Sequence, residues 1–469
     1  MTWKPKRPAI GTLANSAALG LAVAACLLPP LAGLTAQAQA AAGIGLLMAV
    51  LWVTESLPLA ATALLPLVLF PLTGVASIAD LSGAYANPLI FLFLGGFLIA
   101  MAIEKWGLHR RLAFAILART SGDPRHVILS VMGATAFLSL WISNTASAMV
   151  AAPIAASIAL MRQEGDGFPA ALMLGVAYSA TIGGMGSLIG TPPNALFAAY
   201  MEEAHGVVIG FADWMLIGLP VVLVLLPIAW LVLTRVAFEI RPVPVETGFA
   251  RQPPLSSGEK RLAVIAALTA LGWMTRPLIS SAFPALGITD AGIAMTGALS
   301  LFVVKAGRAD EGRLLDWTTA ARLRWDVLIL FGGGLALASA IDQTGLAAWI
   351  GAQAKGLAGL PTFWILLCFA LIIVYLGELA SNTAMAAIFL PVAGAAAVGM
   401  GADPLVFALP VAMAASIGFM LPVATPPNAI VFANPAVSRP DMLRAGAPLD
   451  VLGIAVALSA GILLGPLVF

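Results

Sequence analysis

Between residues 127 and 161 the chain carries no charged side chain, and the one break between the helical limbs of that run is the triplet Ser143-Asn144-Thr145. Apolar stretches of comparable length recur from residue 10 to the C-terminus. A helix needs about 20 apolar residues to cross the roughly 30 Å of hydrocarbon in a bilayer, so the recurrence itself sets the fold class. Composition agrees: 61% of residues are hydrophobic and 10% charged, where an ordinary soluble domain carries about 25% charged residues. A water-soluble core cannot hide that much apolar surface. The chain reads as an all-α polytopic membrane protein with no sizeable soluble domain, surrounded by lipid and with no nucleic-acid partner.

Lys and Arg concentrate in cytoplasmic loops, which tests the span count. Spans fall near 11–34, 41–56, 58–73, 88–104, 168–200, 213–236, 260–278, 287–304, 326–341, 404–433 and 445–468, with two further apolar pairs, 126–161 and 361–399, held aside. With Lys4, Lys6 and Arg7 inside, alternation places the basic segments 105–125, 235–261 and 305–324 inside together with Arg439 and Arg444. The outer segments 35–40, 74–87, 201–212, 279–286 and 342–360 carry Lys355 as their only Lys or Arg. Eleven spans therefore fit, with the N-terminus cytoplasmic and the C-terminus outside. The opening MTWKPKRP, its apolar run and AQAQAAAG imitate a signal peptide, and VAAC ending at Cys26 imitates a lipoprotein cleavage site. The run over 10–34 exceeds the usual core of about 7–15 residues, so a retained first helix is expected.

The two pairs held aside return the chain to its starting side whether they cross or not. A loop reaching water is normally longer and carries charge or Gly/Pro clusters. Each pair is therefore expected to be a re-entrant hairpin with its tip buried in protein, where irregular backbone is tolerated at membrane depth.

The chain also repeats itself. LFLGG at 92–96 answers LILFGG at 328–333, Gly107-Leu108 answers Gly345-Leu346, Ser143-Asn144-Thr145 answers Ser381-Asn382-Thr383, and GTPPNAL from Gly190 answers ATPPNAI from Ala424, at offsets of 234 to 238. The segment before the first hairpin is basic and its counterpart, 342–360, nearly uncharged, so the halves are inverted, as in secondary transporters whose site lies where the repeats meet. The implied organisation is a first transmembrane helix within 1–40, a first repeat over 41–240 with hairpin 126–161 and broken helix 168–200, a cytoplasmic linker over 241–259, and a second repeat over 260–469 with hairpin 361–399 and broken helix 404–433.

TIGGMGSLIGTPPNAL, from Thr181, cannot be one helix. Glycine costs about 1 kcal/mol and proline about 3 kcal/mol inside a helix, so Gly183, Gly184, Gly186 and Gly190 followed by Pro192-Pro193 unwind it. Thr191 is placed as N-cap and Pro192 as the first helical residue, and Thr425 and Pro426 repeat this in the second copy. Taken singly, Ser-Asn-Thr reads equally as a helix–helix hydrogen-bonding patch and Pro-Pro as a kink. Their paired recurrence favours a site. It offers hydroxyls, carboxamides, freed amides and freed carbonyls but no Lys or Arg, which suits an anion accompanied by small cations. Glu55, Glu104, Asp326 and Asp342 are read as interfacial, and Glu378, three residues before Ser381, as an orienting group. His109, His126 and His205 near segment ends are read as solvated, and Cys26 and Cys368 support neither a disulfide nor a thiolate metal site.

With the duplicated Ser-Asn-Thr, the duplicated Thr-Pro-Pro-Asn and EKWGLHRR from Glu104, nearly the whole chain resembles the divalent anion/sodium symporter family, whose members carry C4-dicarboxylates, citrate or sulfate. The resemblance implies a bacterial inner-membrane homodimer that imports a small dicarboxylate such as succinate with sodium by an elevator movement of a transport domain against a scaffold. Sodium ions would be held at Ser139, Ser143, Asn144 and Gly190 in one site and at Gly377, Ala380, Asn382 and Ala424 in the other. Substrate would meet Asn144, Thr145, Thr191, Ser381, Asn382, Thr383, Thr425 and Pro426. Members often have Thr where this chain has Gly377, which removes a hydroxyl from the second sodium site. Some relatives are sodium-independent exchangers, and sulfate is the next substrate. An enzyme would need a nucleophile with a base or a metal cluster, which the histidines and cysteines do not supply.

Overall fold

The computed structural model describes residues 9–117, 122–160, 166–245, 253–307, 312–357 and 359–469; Lys4, Lys6, Arg7, Arg119 and Arg308 lie outside the described residues. Everything regular among them is helical, apart from one isolated bridge between Lys305 and Arg313. Among the described residues seven helices are long and apolar enough to cross a bilayer: Ala36–Thr54, Ile78–Lys105, Phe211–Ala237, Ser257–Ala282, Trp325–Gln343, Asn382–Gly399 and Arg439–Val468. The surface of the molecule explains itself only in lipid. In the span Ser257–Ala282 just 17% of the most apolar window is buried, and Leu223, Leu268 and Leu299 lie exposed along their helices.

One of the seven, Asn382–Gly399, lies within the pair held aside over 361–399, so length marks six of the eleven expected spans, and the shortfall has local causes. The expected span 58–73 is two short helices, Leu59–Ala63 and Pro66–Thr73. The first helix, Ala9–Leu27, stops ahead of Pro29-Pro30 rather than running to residue 34. Outer segments expected as loops contain the helices Ile78–Tyr85 and Leu346–Ala354. His109 is not solvated: it is buried, with Nδ1 3.0 Å from the Ile103 carbonyl. His205 is half-buried, with Nε2 3.0 Å from the Tyr200 hydroxyl.

Polar contacts sort the loops by side. Lys105 Nζ reaches Asp316 at 2.6 Å and its ammonium holds that carboxyl down at about 2, Arg111 pairs with Glu259, and Arg261 donates to the Lys305 carbonyl at 2.6 Å. The three basic segments expected inside therefore share one face. On another face Thr35 donates to the Thr344 carbonyl at 3.2 Å and Gln37 to Gly74 at 2.8 Å.

The two pairs held aside are each two helices joined by a short turn, Pro124–Ser139 with Asn144–Ala159 and Thr362–Gly377 with Asn382–Gly399. The first packs on Phe168–Gly184, the second on Pro404–Ala415. Contact is close because small residues line it: a Cβ on Gly183 would collide with the backbone of Ala136. Trp214, fully buried, donates to the Met185 carbonyl at 3.0 Å and so serves one of the carbonyls freed where the helix unwinds.

Candidate functional site

Each hairpin turns in four residues. In the first, Ser143 has extended backbone and caps the second limb, its hydroxyl accepting from the Ala146 amide at 3.2 Å. Asn144 and Thr145 are thus the opening residues of a helix, not a loop. Ser381 caps the second hairpin in the same backbone conformation, but its hydroxyl makes no capping bond.

The broken helices behave as their glycines and prolines dictate. Phe168–Gly184 ends and Pro192–His205 begins after Thr191; Pro404–Ala415 ends and Pro426–Phe432 begins after Thr425. Both threonines are N-caps followed by proline, as expected. The Thr425 hydroxyl accepts from the Asn428 amide at 3.3 Å, whereas Thr191 leaves its own free of any capping bond.

Two residues that the sequence reading left inside a motif prove to hold these breaks together. Asn194 donates to the carbonyls of Gly184 at 3.1 Å and Ser187 at 2.8 Å; Asn428 donates to Gly418 and Leu421, both at 3.0 Å. Each carboxamide spans its own break in the same way, and the signal was the Asn common to both Thr-Pro-Pro-Asn copies. Glu378 is buried, its carboxylate accepting from the Met420 amide at 2.8 Å and the Leu421 amide at 2.7 Å. It orients the second break, as its position suggested.

The carboxamide end of Asn144 lies 2.7 Å from Ser139 Oγ, 3.1 Å from the Ala180 carbonyl and 3.3 Å from the Gly190 carbonyl. With nitrogen there it donates to all three. With oxygen there it completes an all-oxygen cluster of the kind that binds a small hard cation. Gly190 has no room for a side chain, since a Cβ would stand 2.9 Å from the Ser139 carbonyl. In the second copy Asn382 Oδ1 is buried without a partner among the described residues, and a Cβ on Gly418 would stand 3.9 Å from it and 3.3 Å from the Ala424 Cβ.

All of this opens onto one cavity of about 1030 Å³. Its lining includes Ser143, Asn144, Thr145, Gly190 and Thr191 from the first half, and Ser381, Asn382, Thr383, Ala424, Thr425 and Pro426 from the second. Every residue expected to meet substrate is brought together there. Of those expected to hold cations, Ser139, Gly377 and Ala380 stand behind the wall. The sequence reading missed the rim, where Glu55, Glu104, Arg322, Arg324, Asp326 and Arg439 join the lining. Glu55, Glu104 and Asp326 are therefore cavity residues as well as span-end residues, and Arg324 is occupied by Asp326 at 2.8 Å. Four helices, starting at Asn144, Pro192, Asn382 and Pro426, point their N-termini into this space.

An apolar helical bundle with a central cavity built from helix ends and broken helices defines a membrane transport protein. The chain belongs to the divalent anion/sodium symporter family: residues 12–469 match the family described as "Sodium:sulfate symporter transmembrane region". It is 39% identical over 432 residues to the sodium-dependent dicarboxylate transporter SdcS of Staphylococcus saprophyticus, covering 88% of this chain and 83% of that one. The SdcS of Staphylococcus aureus is 39% identical over 424 residues, covering 86% and 81%. Among solved structures the fold is similar to the YdaH transporter of Alcanivorax borkumensis, with a TM-score of 0.59 at 15% identity over 83% of this chain and 87% of that one. It is also similar to MtrF of Neisseria gonorrhoeae, with a TM-score of 0.55 at 15% identity over 97% and 94%. The protein is a transporter and not an enzyme.

Proposed function

We propose that the protein is a secondary active importer of small divalent anions, C4-dicarboxylates such as succinate first among them, coupled to sodium. The observation that carries this reading is the convergence of four helix N-termini on one cavity. Each presents the positive end of a helix dipole, and the two that open on Asn144 and Asn382 add backbone N–H groups, which the Pro-Pro starts at Pro192 and Pro426 lack, so a dianion is stabilised there without a fixed cationic side chain beside it. Ser143, Thr145, Thr191, Ser381 and Thr383 add hydroxyls for carboxylate oxygens, and Asn144, Asn382, Thr425 and Pro426 complete the wall.

Sodium is cargo in this account. Its first site is the oxygen cluster of Ser139, Asn144 and Gly190 with Ser143; its second is formed by Gly377, Ala380, Asn382 and Ala424 beside the unpartnered Asn382 oxygen. The relatives' names, sodium-dependent dicarboxylate transporter, support both cargo and coupling. The matched closure of the two breaks by Asn194 and Asn428 supports two halves built on one plan; the rest of the reading, an elevator movement of a transport domain against a scaffold within a homodimer in a bacterial plasma membrane, follows from the family resemblance. The cavity reaches Arg322 and Arg439, which the charge rule assigns to the cytoplasm, and this supports reading the cavity as open inward.

Labelled succinate uptake into proteoliposomes, challenged with unlabelled anions, tests the substrate. Other C4-dicarboxylates are expected to compete and sulfate is not; sulfate competing better than dicarboxylates would reverse the assignment. Sulfate is the second reading because the family description names it.

A further inference from the structure

The two breaks are built on one plan, yet one contact differs in kind between them. In the first copy the loop is covered by two apolar side chains: a Cβ on Gly186 would stand 3.0 Å from Val222 Cγ2 and would collide with Leu140. Gly218, one helical turn before Val222, lies against the Met185 and Gly186 carbonyls. In the second copy Gly446 fills that role against Phe419 and Met420. One turn beyond it Asp450 stands where Val222 stood, and the hairpin tip brings Glu378 where Leu140 stood. Two apolar side chains have become two carboxyls, 0% and 2% exposed.

These carboxyls take three consecutive amides of the unwound loop. Asp450 Oδ1 accepts from Phe419 at 3.1 Å, while Glu378 accepts from Met420 and Leu421. The other Asp450 oxygen has no donor among the described residues and faces the Glu378 carboxyl. In the first copy the matching amides of Met185 and Gly186 bond instead to the carbonyls of Ile182 and Gly183, as a tightening helix end does. Acceptors from outside thus hold the second loop open, and what it opens onto is the second cation site. A Cβ on Gly418 would stand 3.9 Å from both Asn382 Oδ1 and Glu378 Oε1.

We propose that Asp450 is a positioning residue for sodium: together with Glu378 it fixes residues 419–421, and this sets the cation affinity of the second site, which lacks a hydroxyl at Gly377. The proposal rests on the sodium-coupled reading above. It explains why a fully buried carboxyl sits in the apolar stretch 445–468, where it is the only charged residue and where such a residue is costly and marks function.

Two variants separate positioning from packing. Asp450→Val installs the residue of the first copy and removes the acceptor; Asp450→Asn keeps an oxygen for Phe419 and adds an amide that donates to Glu378. In proteoliposomes Asp450→Val is expected to raise the sodium concentration for half-maximal succinate uptake about tenfold, the equivalent of one hydrogen bond. The KM for succinate at saturating sodium stays at the wild-type value, and Asp450→Asn restores wild-type sodium activation. Should Asp450→Val fail to give a monodisperse protein, Asp450→Ala carries the same expectation. Unchanged sodium activation, a maximal rate lowered at every sodium concentration without a shift in half-saturation, or an Asn variant as impaired as the Val variant overturns the assignment. Wild-type protein that sodium does not activate at all removes the sodium-coupled reading itself, and this inference with it.

Discussion

Asn144 and Asn382 hold equivalent places, each the first residue of a helix whose cap is the serine before it. Because the cap is a neighbour, Asn144→Ala and Asn382→Ala spare the hairpin turn. Each is expected to abolish succinate uptake while leaving a monodisperse elution profile in detergent; wild-type uptake in either would contradict the site. Gly377 is open to repair, since a Cβ there meets nothing closer than Met385 Cγ at 3.6 Å. Gly377→Ser is expected to lower the sodium concentration for half-maximal uptake, and an unchanged curve would mean that this position does not reach the ion. Ser-Asn-Thr was legible as a site because it stood alone in apolar sequence and recurred. Asp450 was equally alone in its apolar span but had no second copy to draw attention to it, and the buried state of His109 depends on a carbonyl that no local pattern announces.

At the scale of elements, the breaks were readable because glycine and proline act locally. What keeps a break in one shape is not local: Asn194 reaches back ten residues to Gly184, and Asn428 ten residues to Gly418. Asn194→Ala and Asn428→Ala each leave two carbonyls short of a donor, and each is expected to destabilise by about 2–4 kcal/mol, read as a lowered unfolding temperature. Equal unfolding temperatures for variant and wild type would contradict the role. The short helices Ile78–Tyr85 and Leu346–Ala354 escaped the sequence reading for a physical reason. Helices of fewer than about 12 residues are marginal by themselves and are held by tertiary packing, so their sequences show little of the periodicity that announces a span.

For the whole molecule, charge pattern and repeat spacing carried the architecture further than span length did, because broken helices, hairpins and short helices all shorten the apolar runs. The three basic segments that the charge rule assigns to the cytoplasm do share one face, tied by Lys105–Asp316, Arg111–Glu259 and Arg261. In a background lacking Cys26 and Cys368, a cysteine at Val423, which lines the cavity and is 71% exposed, tests the sidedness. A membrane-impermeant maleimide is expected to label it in inside-out vesicles and not in right-side-out ones; the reverse would place the open cavity outside. The central claim is coupling of a dianion to sodium, and uptake of labelled succinate by proteoliposomes with and without an inward sodium gradient tests it most directly. Accumulation that requires the gradient and needs no internal dicarboxylate is the expected result. Accumulation that ignores sodium and requires internal succinate would make the protein an exchanger and contradict the account.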